Sequence, residues 1–382
     1  MYIKRSCQPI ITQHLFKGQV IIIYGPRQAG KTTLVKKIVS GQTKHYRFLN
    51  CDEADIRSLL EKADTSARLL QIVGKEKITV IDEAQRIENI GLKLKLLVDN
   101  FPEKQIIATG SSSFELANKI TEPLTGRNYQ FWLHPFSLEE LSQTMDNISL
   151  NRQLESLLIF GSYPKIITSD SIWDKNELLK LLTNDYLYKD IVKFGRSKSQ
   201  QITQRLLQAL ALQIGSQASL NELANLLGIA KQTVAEYLDI LEKTFVIFRL
   251  PAFSRNRRKE ISKSQKIYFW DLGIRNAVIN NLNSLDLRQD VGQLWENFVI
   301  AEFKKQQFYP PLQKNLFFWR TYNQEEIDLI IEDGGRIQAV EIKWRQPRKQ
   351  PPKSWRVSYP QSSWQSVTPQ NFQGLLLAKK NS

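Results

Sequence analysis

The chain has 382 residues, of which 42% are hydrophobic, and this length and composition fit a globular protein of two or three domains. Lysine and arginine number 53 against 38 aspartate and glutamate, and the net charge of +15 favours a polyanionic partner, nucleic acid before an anionic membrane surface, over an inert basic surface. Cys7 and Cys51 have neither disulfide nor metal spacing, which fits a cytoplasmic protein. No apolar segment follows Lys4 and Arg5, and no aliphatic run could cross a bilayer, so neither a signal peptide nor a membrane partner is expected.

Apolar strand-like runs alternate with helical patterns in residues 1–137, which predicts a first domain of the α/β class built on a parallel sheet. The predicted strands are Val20–Tyr24, 46–50, Ile78–Asp82, Gln105–Gly110 and 129–133. The predicted helices are Lys31–Ser40, 55–61, 91–100 and 114–120. A Pro135-Phe136-Ser137 run closes the domain, and Ser137 is a predicted helix N-cap.

A glycine-rich segment joins the first predicted strand to the first predicted helix and matches the pattern G-x-x-x-x-G-K-[ST]. Such glycines let backbone N–H groups turn toward a phosphate, and the following helix adds its positive amino-terminal end. Lys31 is expected to reach the β- and γ-phosphates of a nucleotide, and the Thr32 hydroxyl to ligate Mg²⁺. The predicted nucleotide-binding residues are Gly25, Pro26, Arg27, Gln28, Ala29, Gly30, Lys31, Thr32 and Thr33. A plain glycine turn is the alternative, but the strand before the segment and the helix after it favour a P-loop.

The predicted strand Ile78–Asp82 ends in two acidic residues. Asp82 would lie at the carboxyl edge of the sheet and hold Mg²⁺ with Thr32, while Glu83 would orient and deprotonate the attacking water. A surface acidic pair is the weaker interpretation, because such a pair would not usually end an uninterrupted buried strand. The additional glutamate favours hydrolysis over phosphoryl transfer to a metabolite. The sequence has no Asn-Lys-x-Asp element to read guanine, which favours ATP over GTP.

The predicted strand Gln105–Gly110 is followed by serines. A polar side chain there would lie beside the γ-phosphate and report its presence, with Ser111 as the first choice and Ser112 as the second. Arg127 could stabilise charge on the γ-phosphoryl group as an arginine finger, in the same chain or from a neighbouring copy in a homo-oligomer. A solvated arginine in a turn is an equal alternative.

Residues 138–200 are predicted as a helical lid or linker, and residues 201–275 as a winged-helix module. Residues 219–238 indicate a helix, a glycine turn and a second helix that would present polar side chains, among them Lys231, to bases or phosphates. Strands at 245–250 and 266–270 would form the wing, whose loop is strongly basic. The predicted nucleic-acid contacts are Lys231, Arg255, Arg257, Arg258 and Lys259. The alternative is a winged-helix unit used only for packing or dimerisation.

Residues 285–382 predict a mixed α/β domain with a carboxylate cluster. Glu296 lies on a predicted helix and Asp328 on a predicted strand, while Glu341 and Lys343 share one face of the next strand because they are two residues apart. If these strands pair through the turn at 333–335, the carboxylates could bind Mg²⁺ and the lysine could polarise a water for attack on phosphate. The alternative is an inert scaffold held by ion pairs.

Motifs along nearly the whole chain resemble the prokaryotic AAA-type ATPases whose carboxyl-terminal domain of unknown function has a PD-(D/E)XK nuclease-like fold. The motifs that carry the resemblance are Gly25-Pro26-Arg27-Gln28, Asp82-Glu83-Ala84-Gln85-Arg86, Thr109-Gly110-Ser111-Ser112, Leu124-Thr125-Gly126-Arg127, Pro135-Phe136-Ser137, Tyr188-Lys189-Asp190-Ile191, Tyr268-Phe269-Trp270-Asp271-Leu272-Gly273, Glu296-Asn297 and Val340-Glu341-Ile342-Lys343. The segments Glu88-Asn89 and Gly161-Ser162-Tyr163-Pro164-Lys165 depart from the family pattern, which puts loop geometry there in question.

The resemblance implies ATP binding at Lys31 and Thr32, together with a winged helix in the middle of the chain. It also implies the three roles proposed above: water activation by Glu83, sensing by Ser111 and a finger-like Arg127. The sequence therefore predicts an ATPase that hydrolyses Mg·ATP to switch how a nuclease-like carboxyl-terminal half engages DNA. The alternatives are an ATP-dependent interaction switch with an inert nuclease-like domain, and a protein-interaction ATPase with no nucleic-acid role.

Overall fold

A computed structural model describes residues 2–111, 124–187, 200–254, 265–308 and 314–377. The chain divides into two compact units. The amino-terminal unit comprises Lys4–His134 with the short segment Lys243–Phe245, and the carboxyl-terminal unit comprises Met1–Ile3, Pro135–Glu242 and Val246–Ser382. Among the described helices, none combines the length and the apolarity needed to cross a membrane.

The amino-terminal unit is built on a five-stranded parallel sheet with the order β2-β3-β4-β1-β5, which confirms the predicted α/β class. Every residue of the first and third strands is buried, as is typical of parallel strands covered on both faces. The strands are β1 (Val20–Tyr24), β2 (Arg47–Asn50), β3 (Ile78–Asp82), β4 (Gln105–Gly110) and β5 (Asn128–Trp132). The helices are α1 (Cys7–Gln13), α2 (Lys31–Ser40), α3 (Ala54–Glu61), α4 (Ser66–Val73) and α5 (Ile90–Asn100), with a 3₁₀ turn at Ala84–Arg86.

These elements differ little from the predicted ones. The strands predicted at 46–50 and 129–133, and the helices predicted at 55–61 and 91–100, each begin within one residue of their predicted start. Helix α4 was not predicted; it begins after Thr65, whose hydroxyl accepts the Arg68 N–H as an N-cap. The helix predicted at 114–120 lies outside the described residues.

The carboxyl-terminal unit begins with helices and continues into a hairpin and a four-stranded sheet. Its helices are α6 (Leu138–Leu141), α7 (Asn147–Phe160), α8 (Pro164–Ile167), α9 (Ile172–Leu181), α10 (Gln200–Leu212), α11 (Leu220–Leu227), α12 (Lys231–Lys243), α13 (Leu272–Val278), α14 (Val291–Gln306), α15 (Lys353–Ser358) and α16 (Gln373–Leu376). A π-helical turn covers Leu182–Leu187 and a 3₁₀ turn covers Leu285–Leu287. Ser137 caps α6 as predicted, in a capping box with Glu140.

The strands of this unit are β6 (Ile247–Leu250), β7 (Lys266–Phe269), β8 (Asn315–Arg320), β9 (Glu326–Asp333), β10 (Arg336–Ile342) and β11 (Ser363–Val367). Strands β6 and β7 form an antiparallel hairpin, and the other four form a sheet with the order β11-β10-β9-β8. The predicted turn joins β9 to β10, and Gly334 and Gly335 take the positive φ angles that a two-residue hairpin turn requires. Strand β11, which runs parallel to β10, was not predicted in this polar tail.

The Tyr268–Gly273 motif and the Gly161–Lys165 segment, which departs from the family pattern, form a buried contact between α7 and α13. The Asp271 carboxylate caps α13 and also accepts the Ser162 N–H at 2.7 Å. Gly161 has a φ of 75°, and a Cβ at this position would collide with the Asp271 carboxylate. A Cβ at Gly273 would collide with the Phe160 carbonyl. Close packing therefore accounts for these glycines without a ligand.

Candidate functional site

The segment between β1 and α2 has the backbone of a phosphate-binding loop. Gly30, the residue before α2, has a φ of 95°, which favours glycine. A Cβ on Gly25 would collide with the Leu133 carbonyl oxygen, just beyond β5, so the first glycine is required by the packing of the sheet. Lys31 is buried at the start of α2, and its Nζ donates to the carbonyl oxygens of Gly25 and Pro26 at 2.9 and 3.0 Å. The loop thus positions an ammonium group at the amino-terminal end of a helix.

Asp82 lies at the carboxyl end of β3 and is held by two hydroxyl groups. The Thr32 Oγ1, from the first turn of α2, donates to its Oδ2 at 2.8 Å, and the Thr109 Oγ1, from β4, donates to its Oδ1. A hydroxyl and a carboxylate side by side form the oxygen-only donor set that Mg²⁺ prefers, and Mg²⁺ usually takes few protein ligands and keeps several waters. Thr32 and Asp82 therefore fit the magnesium ion that a P-loop implies.

Glu83 is fixed by its backbone and by its side chain. Its φ is 54°, an unusual angle for a residue with a side chain, and its N–H donates to the Thr109 Oγ1 at 3.2 Å. Its Oε2 accepts a hydrogen bond from the Gln85 Nε2 at 2.6 Å. The same Gln85 nitrogen donates to the Ser111 Oγ at 2.9 Å. Asp82, Glu83 and Ser111 thus lie in one network at the carboxyl ends of β3 and β4.

Gln85 was not assigned a role from the sequence. It belongs to the Asp82–Arg86 motif, but its two partners are recognisable only once β3 and β4 are known to be neighbours, because Ser111 lies 26 residues away. Ser112, the second choice for a sensor, lies outside the described residues.

Arg127 lies at the opposite edge of the sheet from the P-loop. Its carbonyl accepts the N–H of Val20, the first residue of β1, whereas the P-loop follows the last residue of that strand. Its guanidinium pairs with Asp99 at 2.6 Å and is 41% exposed. The length of β1 therefore separates Arg127 from the P-loop of its own chain, and the structure does not bring the two together. A finger directed into a neighbouring copy stays a prediction.

The predicted carboxylate cluster is brought together in the carboxyl-terminal unit. Lys343, which follows β10, pairs with Asp328 of β9 at 3.3 Å and with Glu341 of β10 at 3.0 Å. Asp328 also accepts the Ile342 N–H at 2.8 Å. Burial and the nearby Asp328 raise the pKa of Glu341, although Lys343 opposes the shift. Burial alone would lower the pKa of Lys343, but the two carboxylates raise it. The ammonium is thus held in its charged form.

A second lysine, from outside the predicted cluster, pairs with Glu296. Lys266 of β7 lies 3.1 Å from Glu296 and 2.5 Å from Glu326, and the Tyr268 hydroxyl donates to Glu296 at 2.7 Å. Burial raises the pKa of Glu296, with Lys266 opposing the shift and Asp328 adding to it. Burial would lower the pKa of Lys266, but Glu296 and Glu326 raise it above the ordinary value. No sequence pattern indicated this pairing, apart from a lysine at the start of a predicted strand.

The described residues contain no group of three His, Cys, Asp or Glu side chains placed to hold a metal ion. Of the four predicted nuclease residues, Asp328, Glu341 and Lys343 are joined by ion pairs, and Glu296 pairs instead with Lys266. Of the predicted nucleic-acid contacts, Lys231 is exposed at the start of α12. Arg255, Arg257, Arg258 and Lys259 lie outside the described residues.

Residues 17–142 match the model of a family described as an AAA domain. Together with the P-loop geometry, this match decides the class of the amino-terminal part. It is an AAA-type P-loop domain. Residues 151–285 and 291–371 match two families described as domains of unknown function, DUF8612 and DUF4143. The predicted resemblance is confirmed for the AAA domain and for the presence of a carboxyl-terminal domain of unknown function.

Proteins similar to this chain include uncharacterized proteins of bacteria and archaea. A protein of Mycobacterium tuberculosis is 29% identical over 344 residues, which cover 89% of this chain and 74% of the relative. A protein of Methanocaldococcus jannaschii is 27% identical over 338 residues, which cover 83% of this chain and 73% of the relative. Both relatives align with most of this chain, so the similarity extends well beyond the P-loop.

Solved structures give only weak likenesses. AMPPCP-bound DnaA from Aquifex aeolicus is 16% identical with a TM-score of 0.29, and the match covers 66% of this chain and 86% of that one. The Pif1 helicase from Candida albicans is 14% identical with a TM-score of 0.27, and the match covers 48% of each chain. At such scores neither likeness supports a statement about the function of this chain.

Proposed function

We propose that the chain binds Mg·ATP at its P-loop and hydrolyses it. The observation that supports this best is the position of Asp82, whose carboxylate is shared between the hydroxyls of Thr32 and Thr109. Through these bonds the acidic strand end is tied to the P-loop helix and to the neighbouring strand β4. A binding site at the carboxyl ends of parallel strands is the usual position in α/β sheets.

In this proposal each residue acts through a stated atom. Thr32 and Asp82 would hold Mg²⁺, which would neutralise charge on the phosphates. The Lys31 ammonium has three donors at the loop, so it can donate to phosphate oxygens. The Glu83 carboxylate accepts a proton from water as the water oxygen attacks the γ-phosphorus. The bond to the β–γ bridging oxygen then breaks, and ADP and phosphate are released. Arg127 is retained as a finger only between copies of the chain in a homo-oligomer.

The Lys31→Ala variant tests the site. We expect ATP affinity to fall about 10-fold or more and turnover to be lost, because the variant removes the only side-chain cation in the loop segment 28–33. Lys37→Ala is the matched control, since Lys37 is exposed on the same helix and should leave both quantities close to those of the wild type. Unchanged ATP binding and turnover in Lys31→Ala would contradict the P-loop assignment.

We further propose that ATP hydrolysis switches how the carboxyl-terminal half engages DNA. Helices α10 to α12 followed by the β6–β7 hairpin have the element order of a winged helix, and a bridge between Gln217 and Lys266 supplies the short first strand. Lys231 and Gln232 are exposed at the start of α12, the end that would meet bases or phosphates. The net charge of +15 supports a polyanionic partner over a basic or neutral one.

The ion pairs favour the alternative in which the nuclease-like domain does not cut DNA. Lys343 and Lys266 each bridge two carboxylates, and Arg348 and Arg320 lie beside Glu341 and Glu326, so the four carboxylates that could attract a divalent cation already face four cationic side chains. We therefore propose that this domain serves as a scaffold or binding surface of the ATP-driven switch. The cytoplasmic location of the protein stays a prediction.

A further inference from the structure

One buried side chain connects the two residues proposed to act around the γ-phosphate. Gln85 lies in the 3₁₀ turn that directly follows β3, and it is 4% exposed. Its Nε2 donates to the Glu83 Oε2 at 2.6 Å and to the Ser111 Oγ at 2.9 Å. Ser111, which directly follows β4, is 6% exposed. A glutamine therefore bridges the ends of two neighbouring strands inside the candidate active site.

The chemistry of the three groups fixes the direction of these hydrogen bonds. An ionised carboxylate only accepts, so the end of Gln85 that faces Glu83 must be its NH₂ group. That group has two hydrogens, one for each partner, and it donates to Ser111 as well. The Ser111 oxygen is then used as an acceptor on this side, and its own hydrogen is free to point elsewhere. Gln85 thus determines that the Ser111 hydroxyl accepts on this side and can donate only in another direction.

We propose that Gln85 is a positioning residue for ATP hydrolysis, which holds the Glu83 carboxylate in place and turns the Ser111 hydroxyl hydrogen toward the γ-phosphate. This inference rests on the proposed ATPase function. The γ-phosphate accepts from Ser111, Ser111 accepts from Gln85, and Glu83 accepts from the other hydrogen of Gln85. One continuous hydrogen-bond chain then links the group that identifies ATP to the group that activates water. ADP lacks the γ-phosphate and cannot complete that chain.

The surrounding backbone supports a positioning role. The Glu83 N–H is tied to Thr109, and Arg86, the last residue of the 3₁₀ turn, pairs with Asp52 at 3.0 Å. The turn is therefore anchored on both sides of Gln85. A short anchored turn leaves the Gln85 side chain few alternative positions, so its two hydrogen bonds restrain Glu83 and Ser111 together.

The Gln85→Met variant tests the inference, because methionine fills a similar volume and has no N–H donor. We expect kcat to fall about 10- to 100-fold while the KM for ATP changes less than about threefold, since orientation rather than binding is lost. The preference for ATP over ADP, measured by equilibrium binding, should fall about twofold, in keeping with the small change in KM. The double variant with Ser111→Ala should lose little more than the more damaging single variant, because both changes break one chain.

Three controls make the outcomes distinct. Gln71→Met alters an exposed glutamine of α4 and should leave kcat unchanged. If Gln85→Met has no cooperative thermal transition, Gln85→Asn replaces it, because its amide is one methylene too short to reach both partners and kcat should still fall. Wild-type protein without ATP turnover would overturn the proposed function and this inference with it. Wild-type turnover with unchanged Gln85 variants, or additive effects in the double variant, would overturn the inference alone.

Discussion

The two acidic sites of this chain differ in the groups that hold their carboxylates. In the amino-terminal unit, Asp82 accepts hydrogen bonds from the hydroxyls of Thr32 and Thr109, which are neutral donors. In the carboxyl-terminal unit, Asp328 and Glu341 share the Lys343 ammonium. Neutral donors orient a carboxylate and leave its charge for a cation from solution, whereas a fixed ammonium offsets part of the charge within the protein. Similar acidic sites can therefore serve different purposes, depending on the side chains that contact their carboxylates.

The largest effect on stability is expected from Lys266→Met. This change leaves Glu296 and Glu326 without their shared cation, and breaking a buried ion pair by removing one partner costs about 3 kcal/mol. Unfolding of the carboxyl-terminal unit, followed by thermal or denaturant melts, should show this loss at neutral pH. Adding Glu296→Gln should restore part of it, because the unpaired carboxylate is then removed.

The same variant has a defined pH dependence. Burial raises the pKa of Glu296 above its ordinary value of 4.5, and Lys266 opposes that shift. Without Lys266, Glu296 takes up a proton more readily in the folded chain than in the unfolded chain. The lost stability therefore returns as the pH falls through the raised pKa of Glu296, and most of it is restored near pH 4.5. A loss of stability that does not depend on pH would contradict the assignment of this ion pair.

Plasmid cleavage by the wild type that needs Mg²⁺ or Mn²⁺, and that Asp328→Ala abolishes, would contradict the proposal that the nuclease-like domain does not cut DNA.

A smaller effect is expected from Lys231→Glu, which reverses an exposed charge at the start of α12. We expect duplex DNA to bind about fivefold more weakly and the dependence of affinity on salt to become shallower, because about one phosphate contact is lost. If DNA stimulates ATP turnover, the variant should need a higher DNA concentration than the wild type to reach half of the maximal stimulation. Lys165→Glu reverses the charge of an exposed lysine of α8 and controls for net charge. Equal DNA affinity in both variants and the wild type would remove α12 from the interface.

The P-loop could be predicted from the sequence because its parts are contiguous. A buried strand, a glycine-rich turn and a helix that begins at Lys31 lie within one short segment, so local pattern alone places the lysine beside the loop. The turn between β9 and β10 was predicted for the same reason. Such features are formed by residues that are neighbours in the sequence, so they can be predicted without knowing which strands pair in the fold.

The remaining features depend on which strands become neighbours. Lys266 meets Glu296 across 30 positions, and Gln85 meets Ser111 across 26, so neither pairing has a local signature. The position of Arg127 did have a local signature. Arg127 precedes a predicted strand of a parallel sheet, whereas the P-loop follows one. Residues before parallel strands and residues after them lie at opposite edges of the sheet. Strand direction therefore contained the information that separates Arg127 from the P-loop of its own chain.

The most direct test of the account is ATP turnover in the Glu83→Gln variant. Glutamine keeps the shape of the side chain but cannot accept a proton from water. With Mg²⁺ present, we expect turnover to fall about 100-fold or more while ATP affinity stays within about threefold of the wild-type value. Removing Mg²⁺ with EDTA should stop turnover in the wild type. Wild-type turnover in Glu83→Gln, or wild-type turnover that persists without Mg²⁺, would contradict the claim that this strand edge is a hydrolytic site.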